Sequence, residues 1–240
     1  RAVAHRQTGI DCDQLIVMEP ARMTEAVFFM RIWNADGSEV NACGNAARCV
    51  ADRVMTETGK SVIQFQTGAG LLIAYRSDNG ITVDMGPARD QWDDIPLASP
   101  TDTLHLPIIE GPISDPAAVG IGNPHMVFFV DNAQAVPLSD GLGSKLEHHA
   151  LYPQRANVEA VEVRSRSNLR VRVWERGVGI TQACGTGACA ALVAAHRRGL
   201  TGRSAEVELD GGVLSIDWRK DNHVLMAGPV ATSFTGNWTD

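Results

Sequence analysis

The chain carries the same pattern twice, and nothing else in it restricts the fold as much. Arg31-Ile32-Trp33-Asn34 leads through a polar turn into Ala42-Cys43-Gly44. At the same interval, Arg172-Val173-Trp174-Glu175 leads into Ala183-Cys184-Gly185. Further on, Thr67-Gly68 precedes an apolar run to Tyr75, as Gly211-Gly212 precedes one to Trp218. Met85-Gly86-Pro87-Ala88 then matches Ala227-Gly228-Pro229-Val230. Four landmarks in one order at nearly constant separation imply a duplicated unit of roughly 110–140 residues, and hence two similar domains.

Each copy has the same grammar. An alternating strand (Val27–Trp33; Asn168–Trp174) runs into a turn, a Cys-Gly and a helical stretch. The first helix is expected over Gly44–Thr58, stopping at Gly59, and the second over Gly185–Arg198, with Arg197 and Arg198 in its last turn and Gly199 just beyond. Short β runs follow each helix: Val62–Gln66, Leu71–Tyr75 and Ile81–Met85, then Val207–Leu209, Val213–Trp218 and Val224–Met226. Many strands with one principal helix per copy predict an α+β fold, each domain a mostly antiparallel sheet wrapped around its helix. The expected division is a first domain over 1–88 with a returning tail over 229–240, a Pro- and Asp-rich linker over 89–104, and a second domain over 105–228.

Charge and composition narrow the function. Lys and Arg number 21 against 28 Asp and Glu, a net charge of −7 with no basic block, which argues against nucleic acid as a partner. The longest clean apolar stretches, such as Met126–Val130, are strand-sized, so no membrane span is expected. Five cysteines in no regular framework, without a signal-peptide core at the start, suit free thiols in a reducing cytoplasm. The chain opens on Arg rather than Met, and the expectation is that its N-terminus has been lost or left out.

Two of those thiols stand at helix starts. A helix N-terminus offers unpaired N–H groups and the positive end of the dipole, which lower a thiol pKa from its usual value of about 8.5. Gly44, Gly185 and Gly187 let backbone amides approach a ligand closely and form an anion site suited to a carboxylate. Two such helices facing one bound acid across a domain cleft would place a thiol on each side of a carbon. Inverting a stereocentre needs that arrangement, with a base on one face and an acid on the other, and the charge next to the carboxylate held by N–H groups. An isolated cysteine is more often a small core hydrophobe. The shared repeat position, flanking glycine and helix start outweigh that reading for Cys43 and Cys184, but not for Cys12, Cys49 and Cys189. The spacings Cys43 to Cys49 and Cys184 to Cys189 match no metal-binding pattern. The chemistry calls for neither a metal nor pyridoxal phosphate.

These residues form recognisable blocks. NADGSEVNACGNAARC (Asn34–Cys49) and ERGVGITQACGTGACA (Glu175–Ala190) resemble the two signature segments of the diaminopimelate epimerase family. The likeness extends to GIDCDQL (Gly9–Leu15), GNPH (Gly122–His125) and the Arg155–Asn157 triplet, across almost the whole chain in the family's order. The resemblance implies a cofactor-independent isomerase that interconverts LL- and meso-diaminopimelate, on the path to lysine and cell-wall precursors. Cys43 and Cys184 would be its acid/base pair, with His125 and Glu175 assisting their protonation. Gly44 and Asn45 with Gly185 and Thr186 would hold the reacting α-carboxylate. Gln14, Asn34, Asn123, Asn157, Glu175 and Arg176 would read the polar ends of the substrate. A homodimer is compatible with it.

Two departures stand out. Ala46 occupies a position where the family has Gly, while the second block keeps Gly187. The family's N-terminal strand and its Asn-Asp-Phe-like motif would fall before Arg1. Two other functions compete. Proline racemases and hydroxyproline epimerases share the duplicated fold and the cysteine logic, but carry a His where this chain has Asn45, and lack the Glu175-Arg176 pair. A non-catalytic amino-acid-binding relative would have no need to keep both cysteines in context.

Overall fold

In the computed structural model, residues 1–41, 43–78 and 80–237 are described; Ala42 of the first Ala-Cys-Gly motif, Asn79 and the last three residues of the returning tail lie outside that set. The fold is α+β, and the chain divides into two compact units, Arg1–Val83 with Ala227–Asp240, and Asp84–Met226.

The first unit contains β1 (Gln14–Glu19), β2 (Phe29–Asn34), β3 (Glu39–Val40), α1 (Gly44–Thr58), β4 (Val62–Thr67), β5 (Gly70–Ser77) and the opening residues of β6 (Gly80–Pro87). Its strands lie in the order β1-β2-β4-β5-β6, with β3 folded back on β2. β1 and β2 are antiparallel, β2 and β4 parallel, and β4 and β5 antiparallel. The parallel step from β2 to β4 is the one that α1 crosses, as a parallel connection requires. The buried positions of α1, Gly44, Ala47, Arg48, Ala51, Val54 and Met55, form a stripe at three- and four-residue spacing. Gly59 ends the helix in the left-handed conformation at φ 70°, its N–H donating to the Met55 carbonyl. Phe28 stacks on Phe65 at 5.1 Å in the core of this unit.

The second unit is longer at its start. It adds β7 (Ile109–Glu110), β8 (Ile113–Ser114), β9 (Ala117–Gly120), β10 (Pro124–Phe129) and the short α2 (Gly143–Glu147). It then repeats the first unit: β11 (Asn157–Ser165), β12 (Asn168–Glu175), β13 (Gly179–Thr181), α3 (Gly185–Arg197), β14 (Ser204–Leu209), β15 (Gly212–Trp218) and β16 (His223–Gly228). The strand order is β16-β15-β14-β12-β11-β10-β9, with β13 back on β12. β11–β12 and β14–β15 are antiparallel, and β12–β14, bridged by α3, is parallel. The duplication in the sequence is therefore a duplication of topology.

α3 differs from α1 in its surroundings. Gly187 through Ala195 are all buried, and a helix apolar all round belongs in a core. Its alanines let β9, β10, β11, β12, β14 and β15 pack around it. Beyond its end Arg198 donates to the Leu104 carbonyl, and Gly199 turns the chain at φ 70°.

The stretch 89–104 behaves differently from the expected linker. It lies within the second unit, which begins at Asp84. Arg89 bridges Gly120, Ile95 and Leu97 are buried in a core cluster with Leu106, and Arg197 donates to the Thr103 hydroxyl. Its proline and aspartate content marks turns, while its few apolar residues act as anchors. Truncating Leu192, fully buried in α3, to Ala is expected to cost about 2–5 kcal/mol. Urea unfolding of the whole chain measures the loss.

Candidate active site

Cys43 and Cys184 occupy the N-cap positions of α1 and α3, both in extended conformation at φ −151°, ψ 114° and φ −124°, ψ 109°. Neither position carries the Ser, Thr, Asp or Asn whose side-chain oxygen usually caps a helix start. The first intrahelical bonds run from Ala47 N to the Cys43 carbonyl at 2.9 Å and from Ala188 N to the Cys184 carbonyl at 3.0 Å. The N–H groups of the first helical turn, which include those of Gly44, Asn45, Gly185 and Thr186, are thus the ones a helix leaves without internal partners.

Cys184 is buried, and its surroundings reverse the expectation drawn from the helix dipole. Burial pushes its thiol pKa well above 9.0, and the Glu175 and then the Glu159 carboxylates add to the rise. The Thr186 hydroxyl, 3.5 Å from Sγ, and the Gly187 N–H act the other way and lose. The helix start supplies donors as the sequence implied, but desolvation outweighs them. Glu175 is also raised, first by burial, against hydrogen bonds from Thr181 and Cys184 and the charge of His125.

The other expected residues fall into local groups. His125, fully buried on β10, has both ring nitrogens engaged, Nδ1 with Glu159 Oε1 at 2.7 Å and Nε2 with Asn123 Oδ1 at 2.8 Å. Asn123 Nδ2 lies 3.5 Å from the Thr186 hydroxyl. Asn157 is buried, donating to the Pro124 carbonyl at 3.2 Å and accepting from Arg176 N at 2.9 Å. Both ends of its amide therefore hold backbone, and it fixes the start of β10, which carries His125, to the turn that carries Arg176. Arg176 is exposed and donates to the Gln154 carbonyl at 3.0 Å. In the first unit, Gln14 Nε2 donates to Asn34 Oδ1 at 3.0 Å, and Asn34 donates to Ser38. Asn45 accepts from Arg48 at 3.1 Å.

Two carboxylates escaped the sequence reading. Glu147 of α2 accepts from Trp174 Nε1 at 2.8 Å and Gly177 N at 3.0 Å, clamping the turn that carries Glu175 and Arg176. Gly143 makes room for this, since a Cβ there would sit 2.4 Å from the Trp174 ring. Glu159 lies on β11 two residues after Asn157, and a strand puts both on one face. That spacing was a signal the sequence did carry. Glu159 also explains Gly187, whose added Cβ would meet Oε1 at 3.0 Å and Val173 Cγ2 at 3.3 Å.

Gly187→Ala is therefore expected to destabilise the chain by about 1–3 kcal/mol through overpacking, read as a lower urea midpoint. The raised thiol gives a second expectation. Between the ordinary thiol pKa and the higher folded one, the unfolded chain loses the Cys184 proton and the folded chain keeps it, so stability falls as pH rises. Cys184→Ala should remove that fall. Melting temperatures of parent and variant should diverge in favour of the variant above pH 9.0, and parallel curves would contradict the assignment.

A model of the diaminopimelate epimerase family matches residues 1–90 and 117–233. The chain is 56% identical to the diaminopimelate epimerase of Rhodospirillum centenum over 100% of its length and 82% of that protein's. It is 52% identical to that of Acidiphilium cryptum over 98% and 84%. Among solved structures, a hydroxyproline epimerase from Agrobacterium vitis with bound trans-4-hydroxy-L-proline superposes with a TM-score of 0.68 at 16% identity, covering 95% of this chain and 75% of that one. A PhzF-family phenazine biosynthesis protein from Enterococcus faecalis gives 0.64 at 13% identity, over 90% and 79%. The structural likenesses establish the fold, and the sequence matches establish the kinship: this chain belongs to the diaminopimelate epimerase family.

Proposed function

We propose that the chain interconverts LL- and meso-diaminopimelate by proton transfer at the α-carbon, with Cys43 and Cys184 as the acid/base pair, serving lysine and peptidoglycan-precursor synthesis in the cytoplasm. The observation that carries this reading is the placement of the two thiols. Within a chain of this family, each stands at the N-cap of the principal helix of its own unit.

In one direction a thiolate takes the α-hydrogen. The C–H bond breaks, its electron pair passes onto the α-carbon and the adjoining carboxylate, and the other thiol delivers its proton to the opposite face. The two cysteines exchange roles in the reverse direction. The N–H groups of the first turns of α1 and α3 would hold the α-carboxylate, where they stabilise the charge that develops on it. The environment of Cys184 suits the protonated partner, because burial and two carboxylates keep its proton in place. Thr186 favours the thiolate once that proton has gone. Arg176, with a forked donor, and the polar pair Gln14 and Asn34 would read the remaining polar ends of the substrate. Asn45 and the Glu175-Arg176 pair favour this substrate over proline, and the fold shared with a hydroxyproline epimerase carries no substrate information.

The test is incubation of the chain with LL-diaminopimelate in D₂O, followed by NMR. Deuterium should enter at the α-carbon as the meso isomer appears. Cys43→Ala and Cys184→Ala should each abolish epimerisation, and full activity in either would refute the pair.

A further inference from the structure

The second unit contains a buried carboxylate that its fold does not require. On β11, Glu159 pairs with Val173 across the sheet. In the first unit the equivalent register position, opposite Ile32, is Ile16. The same place in the duplicated topology is thus filled by an apolar side chain in one copy and a carboxylate in the other. Glu159 is fully buried, one of its oxygens, Oε2, has no hydrogen-bond partner, and burial raises its pKa. A carboxylate in that setting costs stability, so its retention calls for a role outside packing.

The contacts of Oε1 supply the role. It lies 2.7 Å from His125 Nδ1, and His125 Nε2 lies 2.8 Å from Asn123 Oδ1. An amide oxygen only accepts, so Nε2 carries its hydrogen. Nδ1 and the Glu159 carboxyl then hold one proton between them, whichever atom bears it. With its oxygen committed to His125, Asn123 turns its NH₂ toward the Thr186 hydroxyl at 3.5 Å. Thr186, receiving from Asn123, has its own proton left for Cys184 Sγ, also 3.5 Å away. The Asn123 link is long for nitrogen to oxygen, and links of this kind tighten when substrate binds.

We propose that Glu159 is a positioning residue: from the buried end of a hydrogen-bond chain it fixes which nitrogen of His125 carries hydrogen, and through Asn123 and Thr186 it aims a hydroxyl proton at the Cys184 sulfur. The proposal rests on the epimerase reading for its consequence, though not for its geometry. Without the carboxyl, the tautomer with hydrogen on Nδ1 is equally open to the imidazole. That tautomer presents a bare Nε2 to the Asn123 oxygen, the amide turns over, and the Thr186 hydroxyl is drawn away from sulfur. The charged and titratable groups around Cys184 are Glu175 on β12, Glu159 on β11 and His125 on β10, with Tyr152 donating to the His125 carbonyl behind them.

The test uses the full chain and three variants. Glu159→Leu should lower kcat about 10–100-fold, the usual cost of removing a group that orients a functional one, with KM little changed. Glu159→Gln, which still hydrogen-bonds Nδ1, should recover most of that loss. In a Thr186→Val background, Glu159→Leu should do no further damage, because the same chain is already cut. Losses that multiply, or a Gln variant as poor as the Leu variant, would overturn the proposal and leave Glu159 a structural residue. Nitrogen NMR of the His125 ring decides independently of turnover. Hydrogen on Nε2 in the parent and its loss from Nε2 in Glu159→Leu are expected. A parent with bare Nε2 overturns the proposal. A parent that fails to exchange the α-hydrogen sinks the epimerase reading instead, and the ring measurement still decides this one.

Discussion

A helix begins with N–H groups that have no partner within the helix, and most helices cover them with a Ser, Thr, Asp or Asn side chain worth about 0.5–2 kcal/mol. Here both principal helices have a cysteine at that position instead. The exchange places donors beside a group that can carry a proton, and the rest of each unit holds that pairing in place. In the second unit α3 is buried on every side, so its first turn cannot drift, and Cys184 moves only with the strands packed around it. In the first unit α1 buries a single stripe against β4 and β5.

The duplication is faithful in topology and unfaithful in chemistry. Strand order, the parallel step across the helix and the capping cysteine recur. The side chains at matching register positions do not. Gln14 and Asn34 are a neutral pair where the second unit has Asn157 and Glu175, and Ile16 stands where it has Glu159. Glu147, Glu159 and Glu175, three partly or fully buried carboxylates around β12, all belong to the second unit. A proton shuttle with one acid and one base needs unlike environments for like groups. The duplicated fold supplies like positions, and divergence at a few inward-facing residues supplies the difference.

Much of this was legible in the sequence. The helix limits followed from Gly59 and Gly199, whose left-handed conformations end α1 and turn the chain after α3, and from the Cys-Gly starts that the repeat exposed. The strands followed from alternation. In the segment 89–104 composition reports turns and not burial: Ile95 and Leu97 anchor a stretch that otherwise looks like a tether. Glu159 is hard to see in the sequence for a related reason. β11 packs on α3 with one face and on a second core cluster with the other, so its polar and apolar residues do not alternate cleanly, and the pattern gives no face to an inward carboxylate.

Cys184 shows where sequence reasoning reaches its limit. The dipole of α3 can be inferred from the order of residues along the chain, and it favours a thiolate. The desolvation that defeats it comes from strands far apart in sequence, β10, β11 and β12, closing over the helix start. Local order fixes the sign of one contribution, and tertiary burial fixes which contribution is larger. The same enclosure makes a five-residue hydrogen-bond chain worth maintaining, because in a dry site the orientation of a single hydroxyl is not averaged away by water. Fold and chemistry meet at that point: the packing that raises the thiol also shields the polar groups beside it from water.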